Sequence, residues 1–250
     1  MHAANLIELG VALVLELWLV ILLLKRGVRH RFPLFFAYAV LAAPSTGARL
    51  FANFHYAAYF YVYWSTEAAL VLLSLAALHE VFHWIFEGFY RLWWFRVTYY
   101  GAIAIALIVA VWNAFANPPA QAHPVISLIL NVTIAVNYVR IGIVGLFALL
   151  HRLLLVPFRR YAYGIVVGFG ISSAGPLLAY LAFSVFGTKL ESFTRYTIAV
   201  AYILGVAIWV ASFIRPEPED REWQPPMSPE QMLREVQGYL RALGISKAKK

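Results

Sequence analysis

Two histidines, His79 and His83, stand four residues apart with Glu80 beside the first. In a helix that spacing puts both imidazoles on one face. HExxH is the pattern by which a helix offers two ligands to zinc while its glutamate serves as general base. A catalytic zinc also needs a third protein ligand and an open position. An aspartate from another span is the usual third ligand in membrane proteases with this motif, and the single aspartate here is Asp220, near the C-terminus. His30, His151 and Glu87 are expected at a similar level, but nothing specifies one of them. The same segment carries Phe82, Trp84, Phe86, Phe89, Tyr90, Trp93, Trp94 and Phe95. Such crowding marks the membrane–water boundary, where His and Glu are ordinary residues. The interfacial reading is preferred. No catalytic residue, cofactor or metal is expected, and His79 and His83 stand as the residual metal candidates.

A second constellation is dispersed along the chain. Glu16 lies about 13 Å of helix before Lys25, Glu67 is equally deep in a later apolar run, and Arg140 lies about 18 Å before Arg152. A charge at the centre of a bilayer costs about 2.5–3.5 kcal/mol on insertion scales, so it needs a partner or a wet cavity. Thr133, Asn137, Arg140 and His151 share one helical face, and such a stripe turns toward the bundle interior. Arg140 is expected to pair with Glu67 or Glu16. Glu16, Glu67, Asn137 and Arg140 are therefore the candidate intramembrane polar core, either a ligand, ion or proton site or a structural network.

These residues must be positioned by membrane helices. The chain is 62% hydrophobic and 13% charged, too little charge to cover a soluble surface. Seven runs approach the roughly 20 residues needed to span: Leu6–Leu24, Leu34–Phe54, Ala57–Leu78, Phe95–Phe115, Val125–Leu149, Tyr161–Phe186 and Tyr196–Ile214. Lys25, Arg26, Arg29 and Arg31 fill the first loop, Arg91 and Arg96 the third, and Arg152, Arg159 and Arg160 the fifth. The second and fourth carry no Lys or Arg, and the sixth holds Lys189, with Arg195 at the start of the next run. The charge bias puts odd-numbered loops in the cytoplasm, with the N-terminus outside and the C-terminus inside. The first run is long enough to span and lacks a basic n-region, so no cleaved signal peptide is expected. The expected fold is all-α, a bundle of seven transmembrane helices over residues 1–214. A cytoplasmic tail follows over 215–250, with an amphipathic helix at about 229–243 opened by Ser228, Pro229 and Gln231.

Several functions are excluded. Without cysteine there is no disulfide, thiol catalysis or iron–sulfur cluster. A retinal Schiff base needs a lysine inside the last span, and none is there. No phosphate-binding loop or nucleophile elbow occurs. The net charge of +8 sits in loops and tail, as topology control and anionic lipid contact require, and no nucleic-acid partner is expected. The expected partners are the lipid bilayer and a membrane or cytoplasmic protein met through the C-terminal helix. In the sixth run, Gly164 and Gly168 make a small-xxx-small step for close helix packing, and Gly175-Pro176 suggests a kink.

The segment containing Tyr63, Trp64, Glu67, Glu80, Val81, Phe82 and Phe86 resembles a region in a family of uncharacterised bacterial multi-pass membrane proteins. The resemblance covers mainly spans three and four. It implies a membrane location, taken to be the bacterial inner membrane, and supplies no activity. The leading expectation is a non-enzymatic sensor-like, scaffold or interaction protein. A small transporter or proton-coupled carrier built on the Glu/Arg core is the alternative, and an HExxH membrane protease the second.

Overall fold

The computed structural model describes residues 2–52, 56–116, 124–154, 158–186 and 191–217, together with Arg234 and Gln237. The chain divides into two units, Met1–Glu217 and Pro218–Lys250. In the second, Arg234 and Gln237 are helical and exposed. The rest of the helix expected at 229–243 lies outside the described residues.

The first unit is helical, with no strand among the described residues. Its helices are α1 (His2–Lys25), α2 (Pro33–Ala52), α3 (Tyr56–Ile85), α4 (Trp93–Ala116), α5 (Pro124–Leu154), α6 (Arg160–Phe186) and α7 (Glu191–Ile214). Six of these, all but α4, contain segments long and apolar enough to cross a membrane, and α4 holds a shorter apolar stretch, Trp93–Val109. The outward faces fit a lipid surroundings: Leu17, Trp18 and Ile21 of α1 and Trp93, Val97 and Ile108 of α4 are all exposed. Helices apolar on both faces are what a bilayer selects.

Helices α1, α2, α3, α5, α6 and α7 pack in that order, and α7 returns to α1, so the six form a closed ring. Helix α4 stands outside it, packed mainly on α5. The α6–α7 contact is the most extensive, and glycine is the reason. A Cβ on Gly168 would come within 2.0 Å of the Trp209 Nε1, one on Gly164 within 2.2 Å of Ser212 Oγ, and one on Gly175 within 2.1 Å of Ala201 Cβ. The small residues read at 164 and 168 thus admit α7, as the spacing predicts. Trp209 fills the space and donates its indole N–H to Ile165 O at 3.1 Å.

Contacts between helix ends fix one end of the bundle. Arg26 after α1 donates to the Phe213 and Ile214 carbonyls at the end of α7. Glu217 after α7 accepts from the Tyr161 N–H of α6. Glu80 of α3 meets the start of α2, Phe95 of α4 packs on Phe82 and Phe86, and His151 of α5 bonds Tyr163 of α6. All these sites lie at one end, which also carries the basic segments Lys25–Arg31 and Arg91–Arg96 and the residues Arg152, Arg159 and Arg160. Here Arg31 forms an ion pair with Glu217 at 2.7 Å and lies 4.0 Å over the Trp84 ring. Arg159 lies over the same ring at 5.4 Å. Burial, and then the charge of Arg31, hold the Arg159 guanidinium below its usual pKa, opposed by Glu217.

Candidate functional site

The HExxH segment lies inside a helix. Helix α3 continues to Ile85, beyond the expected end at Leu78, and a 3-10 turn at Glu87–Arg91 leads to α4. Glu80 has a structural task. Its carboxylate accepts the Leu34 N–H at 3.0 and 3.1 Å and the Phe35 N–H at 3.1 Å. Pro33 begins α2, and at that position its missing N–H costs nothing. The next two N–H groups are among those a helix cannot satisfy internally. Glu80 caps them from a neighbouring helix, with a negative charge at the positive end of the α2 dipole. His79 Nδ1 lies 2.6 Å from the Tyr99 hydroxyl of α4, and the His83 ring lies tilted against that of Tyr90, centroids 4.6 Å apart. Among the described residues no three His, Cys, Asp or Glu side chains are grouped as a metal would need.

The polar core gathers at the other end of the ring. Here the first halves of α1, α3, α5 and α7 and the second halves of α2 and α6 enclose a cavity of about 460 Å³. Its walls include Glu8, Tyr38, Arg49, Glu67, Asn137, Arg140 and Tyr202. Pro176 also lines it, inside an unbroken α6. Proline has no N–H, so the Ser172 carbonyl on the same wall lacks its helical donor.

The expected pairing of Arg140 with Glu67 or Glu16 is not what the fold makes. Glu67 pairs with Arg49 of α2, with Nη2 to Oε2 at 3.1 Å. Arg49 also donates to Thr66 Oγ1 at 2.8 and 3.1 Å and lies 4.6 Å over the Tyr63 ring. Helices α2 and α3 are adjacent, so Arg49 reaches Glu67 along a short path. Glu16, 2% exposed, sits behind the wall. Its Oε1 accepts from Thr46 Oγ1 at 3.0 Å and from the Tyr202 hydroxyl, while Oε2 has no partner.

Arg140 is left with neutral partners. It donates to Ser74 Oγ of α3 and, at 3.3 Å, to Asn137 Oδ1, and lies 5.9 Å over the Phe169 ring. Its Nε has no partner. Of the predicted core, then, Glu67, Asn137 and Arg140 line one cavity and Glu16 braces it through two side chains. Thr133 lines it too, whereas His151 of the same stripe is at the opposite end. The core residues not singled out beforehand are Tyr38, Thr46, Arg49, Ser74 and Tyr202. A signal existed for three: Tyr38, Thr46 and Arg49 fall on one face of α2 at 100° per residue.

Compared with protein-family models, with curated proteins and with solved structures, the chain matches none.

Proposed function

We propose that this is a seven-span membrane protein, N-terminus outside and C-terminus cytoplasmic, that binds a small molecule in a cavity facing the outside and acts as a non-enzymatic receptor-like or interaction protein. The carrying observation is the cavity itself. Its deep arginine is not sealed in an ion pair but stands on a cavity wall. An ionisable group so placed is by default a functional feature of a membrane protein.

Seven crossings are supported by alternation. Helices α3 and α5 both begin at the cavity end and finish at the basic end. The chain between them must return across the bundle, and α4 starts at the basic end against Phe82 and Phe86. Its 24 residues extend about 36 Å, enough to cross the hydrocarbon core. Orientation follows from the basic loops at the far end, which the positive-inside rule assigns to the cytoplasm. The resemblance around Tyr63–Phe86 favours the bacterial inner membrane. A signal from the cavity would pass to a partner at the cytoplasmic end, where the tail beyond residue 217 begins.

The chain has no cysteine, which makes the test direct. A single cysteine at Ala199, on the cavity wall, is expected to react with a membrane-impermeant thiol reagent added to intact spheroplasts. A cysteine at Arg29 is expected to react only in inverted vesicles. Reaction of Ala199→Cys from the cytoplasmic side alone, or at neither face while it reacts after denaturation, contradicts the proposal. The carrier reading shares the cavity. It requires substrate uptake by proteoliposomes that is lost in Glu67→Gln.

A further inference from the structure

We propose that the ligand of this cavity is a small organic carboxylate with an apolar or aromatic body, its carboxylate held by Arg140 at the deep end. This deepens the binding function proposed above and rests on it.

The argument begins with the donors of Arg140. A guanidinium presents five N–H groups in a rigid plane. Two have acceptors in the fold, Ser74 Oγ and Asn137 Oδ1, and both acceptors are neutral. The remaining donors include Nε, which has no partner. Other charges near the cavity are placed differently. Arg49 is bonded to Glu67 at 3.1 Å. Glu16 is behind Thr46 and Tyr202, and Glu8 lies on the first half of α1, toward the cavity end. No ion pair joins Arg140 to any of these carboxylates among the described residues. Arg140 is therefore the cation on the cavity wall without a contacting anion. A planar fork in low dielectric is matched best by a carboxylate, through two parallel charge-assisted hydrogen bonds.

The rest of the wall describes the body of the ligand. Leu70, Val71 and Ile203 supply apolar surface, and Tyr38, Tyr180 and Tyr202 supply rings with a polar tip. Such a mixture, apolar walls with a few convergent polar groups, is the usual constitution of a small-molecule site. A volume of about 460 Å³ is within the common range for such sites, about 300–1,000 Å³. All six helices of the ring contribute residues to the cavity wall, and a charged carboxylate reaches it more readily from water than through the lipid tails. Free phosphate could also satisfy a guanidinium, but would leave the apolar wall wet and uncovered.

The test uses the full chain in nanodiscs of zwitterionic lipid, with binding read by calorimetry and by thermal unfolding. The probes are hexanoate, benzoate and 3-phenylpropionate, each beside its uncharged amide, with inorganic phosphate as a separate arm. At least one carboxylate is expected to bind about tenfold or more tightly than its amide, the difference that charge-assisted pairing supplies. Phosphate is expected to be the weaker ligand. Arg140→Gln should abolish the preference for carboxylate over amide, and Arg140→Lys should keep part of it. The comparison of acid with amide in the unaltered protein needs no variant, so misfolding of Arg140→Gln cannot hide the answer. If every amide binds as well as its acid, if none of the carboxylates binds, or if phosphate is the tightest ligand, the assignment is overturned. Ala199→Cys labelled from outside in that same protein would leave the cavity reading standing and the carboxylate reading alone refuted.

Discussion

Glu80 gives the clearest quantitative test, because its two interpretations predict different experiments. As the cap of α2, its carboxylate satisfies the Leu34 and Phe35 N–H groups. Replacement by alanine leaves both without an acceptor, at unequal cost. Leu34 is 38% exposed, so its N–H can take water instead. Phe35 is 0% exposed, and its N–H is left without a substitute partner. One orphaned buried donor costs about 1–3 kcal/mol, and a lost cap by itself typically about 1 kcal/mol. A loss of about 2 kcal/mol is expected, which for a chain of this size lowers the melting midpoint by about 4–8 °C. Glu80→Gln keeps one carbonyl acceptor but loses the charge at the helix dipole, so it should fall about halfway. His79→Ala and His83→Ala should not reproduce this pattern, since neither ring touches the α2 terminus. The assay is thermal unfolding of purified protein in one detergent, monitored by tryptophan fluorescence. A zinc-base role predicts the reverse: unchanged stability in Glu80→Gln, and a midpoint that falls when metal is chelated. An Glu80→Ala midpoint within about 1 °C of the unaltered protein would refute the capping argument.

Three other outcomes follow from the packing. Gly168→Ala places a Cβ within 2.0 Å of Trp209 Nε1, so the α6–α7 contact must open. Overpacking typically costs about 1–3 kcal/mol, and a lower unfolding midpoint with a shifted tryptophan emission is expected. A double-mutant cycle on Arg49→Gln and Glu67→Gln should give a coupling of about 1 kcal/mol in thermal unfolding, as a contacting, half-buried pair does. The corresponding Arg140 and Glu67 cycle should give clearly less, because those groups share no ion pair. Arg26→Ala removes two donors from the C-terminal carbonyls of α7. It should destabilise by about 1 kcal/mol, with Arg26→Lys recovering part of that loss.

Helix type was legible, and six of the seven expected runs lie in helices long and apolar enough to cross a membrane, because bilayer thickness imposes a length that an apolar run reveals. That Glu67 and Arg140 would stand at one level of the bundle was legible too, since about 1.5 Å per residue converts sequence to height, and both line one cavity. Azimuth was the harder coordinate. Arg140 and Glu67 are at similar heights, and height alone suggested that they pair. Which residues touch depends on the order of helices around the ring, and no local pattern encodes that order. Arg49 reaches Glu67 because α2 adjoins α3. The role of Glu80 in the HExxH segment escaped for a related reason. Its spacing was read as a metal site or a boundary feature, while the acceptor it supplies serves a helix 46 residues earlier in the chain. Gly164 and Gly168 were read correctly because small residues four apart make a groove whatever the neighbour is.

The two ends of the ring are packed differently, and this bears on the choice between the proposed binding reading and its carrier alternative. Below the cavity, toward the basic end, Phe35, Tyr38, Phe169 and Trp209 make mutual ring contacts with centroids 4.9–6.5 Å apart, and Phe213 stacks on Phe35 at 5.9 Å. Phe35, Phe169 and Phe213 are fully buried. Arg140, over Phe169, marks the border between hollow and solid. A carrier must open this aromatic floor in each cycle, breaking several ring contacts worth about 0.5–1.5 kcal/mol each while the glycines of α6 hold Trp209 in place. A receptor needs only to shift it. In proteoliposomes the unaltered protein is therefore expected to bind 3-phenylpropionate without accumulating it. Phe169→Ala, which removes the ring at the centre of the floor, should leave a cysteine at position 199 reactive to reagent added outside. Uptake of the radiolabelled acid by the unaltered protein, driven by a proton gradient and lost in Glu67→Gln, would show that the floor opens and would replace the receptor reading with the carrier.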